Sequence, residues 1–160
     1  MANNETCCLF LLELLMEQSF KASLKQFIIS HESRSNFPYT DTVGKVTIGI
    51  GYNLSDRGLS DAWIDDQYEK DVIYFNAQLW HDFPWYSSLS EARQMVLIDM
   101  AFMGYKALKG FIKLFEALSQ GDYEKASLEI LNSLWARQVG QRAIEDAEIM
   151  RSGELCSHSV

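Results

Sequence analysis

Apolar positions follow a helical spacing along most of the chain, with one short exception near its first third. From Ser23 to Glu32, Leu24, Phe27 and Ile28 recur three and four residues apart, the spacing that gathers side chains on one helix face. Ser23 and Gln26 stand at capping-box spacing, so the pattern predicts a short amphipathic helix ending near Glu32. Ser33 to Gly44 then carries Ser, Asn, Pro, Thr, Asp and Gly, which form turns rather than helices. Lys45 to Tyr52 is β-branched with Gly49 and Gly51 two apart, which reads as a strand whose backbone is closely approached on one face. Asn53 to Gly58 reads as a loop or tight turn.

Beyond that point the pattern is helical throughout. Leu59 and Ile64 flank Ser60 as a hydrophobic staple around an N-cap, opening a helix to about Leu79 with Ile64, Tyr68, Val72, Phe75 and Leu79 on one side. Pro84 separates it from Ser90–Met103, which is apolar almost without interruption from Met95 onward and is expected to be the central core helix. Further helices are expected over about 110–120, 122–135 and 141–151, with Gly104, Gly121 and Gly153 as C-terminal stops. The fold class predicted is α+β and predominantly helical. The expected layout is an N-terminal helical extension over 1–22, a small β-hairpin part over about 33–59, and a helical part over about 60–155.

Composition narrows the function classes. The chain has 160 residues, 48% hydrophobic and 22% charged, enough for a real core. Its three cysteines, Cys7, Cys8 and Cys156, form no even-numbered disulfide framework and fit free thiols in a reducing compartment. The apolar stretch Leu9–Met16 is interrupted by Glu13, followed by Glu17, and preceded by no Lys or Arg. A spanning helix needs roughly 20 apolar residues, so we expect neither an integral membrane segment nor a cleavable signal peptide here. An added helix packed on the domain is expected instead, with a partner-binding or membrane-surface segment as the alternative. The formal charge of −8, from 22 acidic and 14 basic residues, argues against nucleic acid as a partner. It also opposes adsorption to a polyanionic surface unless a local patch such as Lys106, Lys109 and Lys113 supplies it.

Three residues could carry chemistry together. Hydrolysis of a glycosidic bond needs a proton donor and a group that orders or activates the nucleophile on the opposite face of the sugar. Glu32 and Asp41 are carboxylates separated by one turn region, and Thr47 follows on the strand. A carboxyl in the last turn of a helix faces the negative end of the helix dipole, which disfavours its charged form and suits a general acid. The plainer reading makes Glu32 an exposed helix end, Asp41 a turn former ahead of Gly44, and Thr47 an ordinary strand residue.

The pattern Glu32-x8-Asp41-x5-Thr47, embedded in Asp41-Thr42-Val43-Gly44-Lys45-Val46-Thr47-Ile48-Gly49-Ile50-Gly51-Tyr52, resembles the Glu-Asp-Thr signature of the phage-type lysozymes of glycoside hydrolase family 24. The likeness extends over about 24–153. Leu97-Ile98-Asp99-Met100-Ala101-Phe102 ahead of Met103-Gly104 is similar to the family's buried helix, with Phe102 where the family lines its cleft. Trp135-x2-Gln138-x3-Arg142-Ala143 is similar to its C-terminal stretch, whose Arg pairs with the catalytic Glu. The resemblance implies a lysozyme-like fold and an inverting muramidase that cuts the β-1,4 bond between N-acetylmuramic acid and N-acetylglucosamine. Glu32 would be the acid, and Asp41 and Thr47 would position water. Gly51, Tyr52, Asn53 and Phe102 would face substrate, and Arg142 would pair with Glu32. The carboxyl groups of an inverting pair stand about 6.5–9.5 Å apart, leaving room for the water.

By the same resemblance no metal or cofactor is needed, the partner is the peptidoglycan glycan strand, and the protein is a monomer. It would be made in the host cytoplasm and act on the cell wall after holin-dependent release or other delivery, as a lytic endolysin or a wall-attacking toxin. Departures are visible. Tyr52 stands where a His follows Gly-Ile-Gly in the phage enzymes, Asn53 replaces an apolar cleft residue, and one residue is missing before Met103-Gly104. Between the hairpin and Gly58 the chain is shorter, implying a trimmed small lobe, and residues 1–22 have no counterpart. These departures keep two alternatives open: a non-catalytic glycan-binding protein on the same fold, and a glycosidase acting on a chitin-like polymer.

Other residues read as structural. His31 neighbours Glu32 but points elsewhere on a helix. His81 and His158 lack metal-ligand spacing, and Cys156 has no His or Asn arranged around it for thiol catalysis. Asp61, Asp65, Asp66, Glu69 and Asp71 form a solvated helix face without the Gly and Glu of a calcium loop. Trp63, Trp80, Trp85 and Trp135 are core or sugar-stacking aromatics.

Overall fold

The computed structural model describes the backbone of residues 4–155 and the side chains of residues 17–155. Cys156 and His158 lie outside the described residues, as do the side chains of Cys7, Cys8 and the Leu9–Met16 stretch. The described chain is predominantly helical with one small antiparallel sheet, the α+β class expected. It divides into two compact units, one ending at Ile64 and the other beginning at Asp65. Among the described residues no helix is long and apolar enough to cross a membrane.

The first unit opens with α1 (Asn4–Glu32), one unbroken helix instead of an extension followed by a short helix. No Gly or Pro occurs within it, and extending an existing helix costs far less than nucleating a new one. Ser23 is therefore an interior residue rather than a cap. The helix stops where expected: Ser33 adopts a left-handed φ of 64° and its N–H reaches the Ile29 carbonyl at 2.9 Å.

Three strands follow, β1 (Ser35–Thr40), β2 (Val46–Gly49) and β3 (Tyr52–Asn53), in the order β1-β2-β3 with antiparallel pairing. The sequence reading took the segment of β1 for a turn because of Asn36 and Pro38. Pro is tolerated there because β1 is an edge strand, and the register shifts between Ser35 and Tyr39, around the proline. The single strand expected over 45–52 is two strands joined at Ile50-Gly51, with Ile48 paired to Tyr52. Gly49 and Gly51 supply that turn with φ of 68° and 65°. The expected loop at Asn53–Gly58 contains α2 (Leu54–Arg57), capped by Asn53.

In α3 (Asp61–Asp82) the Ser60 hydroxyl accepts from the Trp63 N–H at 3.3 Å, the cap that the staple predicted. The second unit is built around α4 (Glu91–Ala101), whose Val96, Leu97, Met100 and Ala101 are buried as the apolar run implied. Around it are α5 (Tyr105–Leu108), α6 (Ile112–Ser119), α7 (Tyr123–Leu131), α8 (Leu134–Val139) and α9 (Gln141–Ser152). The single helix expected over 122–135 breaks at Asn132, and the Ser133 hydroxyl restarts it by accepting from the Ala136 N–H at 3.0 Å.

Arg93 ties α4 to the end of α9. Its guanidinium donates to the Met150 carbonyl at 2.8 Å and the Arg151 carbonyl at 3.0 Å, and it lies 3.5 Å over the Tyr123 ring. These satisfy carbonyls that a helix C-terminus leaves without partners. Gly153 next to it has φ 80°, and a Cβ there would meet the guanidinium at 2.7 Å. We expect Arg93→Ala to lower stability by about 2 kcal/mol, read as a lower urea midpoint at unchanged m.

Candidate functional site

Glu32 ends α1, and its carboxylate lies directly against the β2–β3 turn. A Cβ built on Gly51 would stand 2.7 Å from Glu32 Oε2 and 3.0 Å from Cδ. Only glycine allows this approach, and its left-handed φ favours glycine independently. The close backbone approach inferred from the glycine pair is thus real at Gly51, and the approaching group is Glu32. Gly49 has no such neighbour and serves the turn alone.

Asp41 opens the turn between β1 and β2. Its Oδ1 accepts from the N–H groups of Val43 at 3.0 Å and Lys45 at 2.8 Å, which is the turn-forming role. Its Oδ2 is directed at Thr47, whose hydroxyl donates to it at 3.3 Å. Thr47 is 4% exposed on the central strand. One carboxylate oxygen of Asp41 thus serves the turn and the other faces Thr47. Thr47 pairs with Asn53, and Gly51 is two residues from Asn53. Strand β2 runs between the two turns, so Asp41 and the point where Glu32 rests lie toward its opposite ends, with Thr47 between them.

Tyr52 and Asn53 are held by the same hairpin. The Tyr52 hydroxyl donates to the Gly58 carbonyl at 2.7 Å, and the Arg57 guanidinium lies 4.2 Å over its ring. Asn53 caps α2 through its Oδ1, at 3.0 Å from the Asp56 N–H, and donates from Nδ2 to Asp56 at 2.9 Å. Its polar atoms are engaged locally. A hydrogen bond from the Lys45 ammonium lowers the Asp56 carboxyl below its ordinary range.

In the second unit Phe102 follows α4, 44% exposed, stacked at 6.1 Å on Tyr68 and edge-on at 5.3 Å to Phe75. The Arg142 guanidinium makes a bidentate pair with Asp99, Nε to Oδ2 and Nη2 to Oδ1 both at 2.7 Å, with a further bond to the Asp99 carbonyl at 2.9 Å. The cause is the packing of α4 against α9, which sets Asp99 before Arg142.

Beside this pair sits Asp146, a residue that sequence reasoning missed. It is 7% exposed, and its Oδ2 has no hydrogen-bond partner. Burial first, and then the neighbouring Asp99 carboxylate, push its carboxyl up to about 8. The available signal was an acid on the stripe Ala143, Ala147 and Met150, all of them buried. The folded protein keeps a proton on Asp146 that the unfolded chain has lost, so stability declines as pH rises from about 4 to about 8 and then levels off. We expect Asp146→Asn to flatten that decline and raise the melting temperature at pH 8 by at least about 5 °C.

His31 packs edge-on to Phe27 at 4.7 Å. His81 and Lys109 both bind Asp82, so Lys109 is neutralised within the patch of Lys106, Lys109 and Lys113. Asp66 pairs with Lys70, and Asp71 accepts from Gln67, on the acidic face of α3. Trp85 and Trp135 join the core, whereas Trp63 and Trp80 are exposed. Among the described residues no three His, Cys, Asp or Glu side chains cluster as a metal site.

No protein-family model matches the chain. Over 122 residues, 76% of its length, it is 30% identical to the pre-baseplate central spike protein Gp5 of Enterobacteria phage T4. The chain spans 20% of that protein. The chain is thus similar to part of a phage spike protein.

Proposed function

We propose that this chain is a wall-degrading muramidase of the phage-lysozyme type, cutting the β-1,4 bond between N-acetylmuramic acid and N-acetylglucosamine. One observation carries the reading: the Glu32 carboxylate rests on Gly51 in the β2–β3 turn, while Asp41 in the β1–β2 turn accepts from Thr47 on the strand that joins the two turns. Glu32 donates its proton to the leaving glycosidic oxygen. Asp41, oriented by two backbone N–H groups, and the Thr47 hydroxyl hold the water that attacks the anomeric carbon. An inverting pair holds its carboxyl groups far enough apart to admit that water. In this reading Gly51 and Tyr52 border the sugar and Asn53 holds the loop beside it. Arg142, locked to Asp99, is a supporting residue rather than a reacting one.

Similarity to a phage spike protein favours delivery to the wall by a phage particle or a related device, after synthesis in the host cytoplasm. A glycosidase for a chitin-like polymer is the second reading, favoured by Tyr52 and Asn53 and by the net charge of −8. Purified protein is expected to clear a peptidoglycan suspension while hydrolysing chitin oligomers far more slowly. The reverse preference would establish the second reading, and binding without hydrolysis of either polymer would indicate a glycan-binding protein. Net repulsion from an anionic wall should also make clearing faster as salt rises toward 0.1 M, where the screening length is about 10 Å.

A further inference from the structure

The first unit carries a concavity whose walls include none of Glu32, Asp41 and Thr47. It has a volume of about 710 Å3, the size of a small-ligand site, and is formed by α1, the hairpin and the start of α3. Its walls include Lys25, Arg34, Tyr52, Trp63, Ile48 and Leu59, and none of its lining residues is Asp or Glu. That is unusual in a chain with 22 acidic and 14 basic residues. Within this unit Lys21 and Lys45 are engaged by Glu17 and Asp56, whereas Lys25 and Arg34 have no carboxylate partner among the described residues. Trp63 is 50% exposed, and with Tyr52 it gives the pocket aromatic surface.

Two unpaired cations beside aromatic and aliphatic walls suit an anionic group attached to a partly apolar body. The pocket also shares its turn with the site already described: Gly49, Ile50 and Tyr52 line it, and Gly51 between them contacts Glu32. A ligand here would adjoin the turn on which Glu32 rests.

We propose that this pocket binds the carboxylate-bearing lactyl-peptide stem of a muramyl residue, with Lys25 and Arg34 pairing its carboxylates and Trp63 and Tyr52 packing its apolar parts. The proposal rests on the muramidase reading and supplies its preference for stem-bearing glycan over plain N-acetylglucosamine polymer.

Calorimetric titration of the full chain carrying Glu32→Gln tests it, using N-acetylmuramyl dipeptide and the neutral disaccharide chitobiose as probes. Adding Lys25→Gln and Arg34→Gln, both at exposed positions, should weaken dipeptide binding at least about tenfold, and chitobiose binding less than about twofold. Equal affinity in both proteins, equal losses for both probes, or no saturable dipeptide binding by the parent would overturn the proposal. So would inorganic phosphate displacing the dipeptide at matching concentration, which would mark a phosphate site. Wall clearing by the unmodified protein is measured in parallel. Clearing with unchanged dipeptide affinity in the charge variant defeats this proposal alone, whereas selective binding loss without clearing defeats the hydrolase reading alone.

Discussion

Replacing Glu32 by Gln should leave the protein folded and reduce peptidoglycan clearing by roughly 10³-fold, within the range supplied by a positioned general acid. The residue is exposed at the end of α1, so an isosteric amide removes no buried packing and leaves no charge unpaired in a core. What it removes is the proton. An amide cannot protonate the glycosidic oxygen, and without that step the leaving group departs as an alkoxide. Circular dichroism and melting temperature check the fold, and turbidity loss reads the rate. An unchanged rate in a folded variant would remove the acid assignment.

The second large effect is expected at Gly51, a residue with no reactive group. An alanine Cβ there would press on Glu32 Oε2 at 2.7 Å and strain a backbone held at φ 65°. The strain costs about 1–2 kcal/mol, but the carboxylate is the free end of a flexible side chain and gives way. Its displacement should lower activity about 10²-fold, the penalty of misplacing a catalytic group by about 1 Å. Gly121→Ala supplies the comparison. Its φ of 70° imposes the same backbone strain, with no atom within 4 Å of a new Cβ. We expect the two variants to lose similar stability and only Gly51→Ala to lose activity. Equal retention of activity would show that Glu32 has no fixed place on the turn.

These effects depend on local features, and the sequence revealed local features best. The end of α1, the burial of α4, the Ser60 cap and the involvement of Asp41 in a turn all follow from neighbours within a few residues. Errors arose where longer-range pairing decided. Pro38 argues against a strand in isolation, yet an edge position needs no N–H on the outer side, so β1 forms once β2 lies beside it. Ser23 has the composition of a cap, but a helix already running from Asn4 passes through it. Asp99 and Asp146 read as ordinary helix residues. Only the packing of α4 on α9 turns one into the partner of Arg142 and the other into a buried acid. Likewise no spacing rule brings Lys25 and Arg34 to one pocket, because the hairpin that closes it is a tertiary feature.

The anomeric configuration of the first product tests the central claim most directly. Proton NMR during hydrolysis of purified peptidoglycan glycan strands should show new N-acetylmuramic acid reducing ends appearing first as the α-anomer, because water held by Asp41 and Thr47 attacks the face opposite the departing β-linked sugar. Products that appear first as the β-anomer, or strands that yield no new reducing ends, would contradict the assignment of Glu32, Asp41 and Thr47 to inverting hydrolysis.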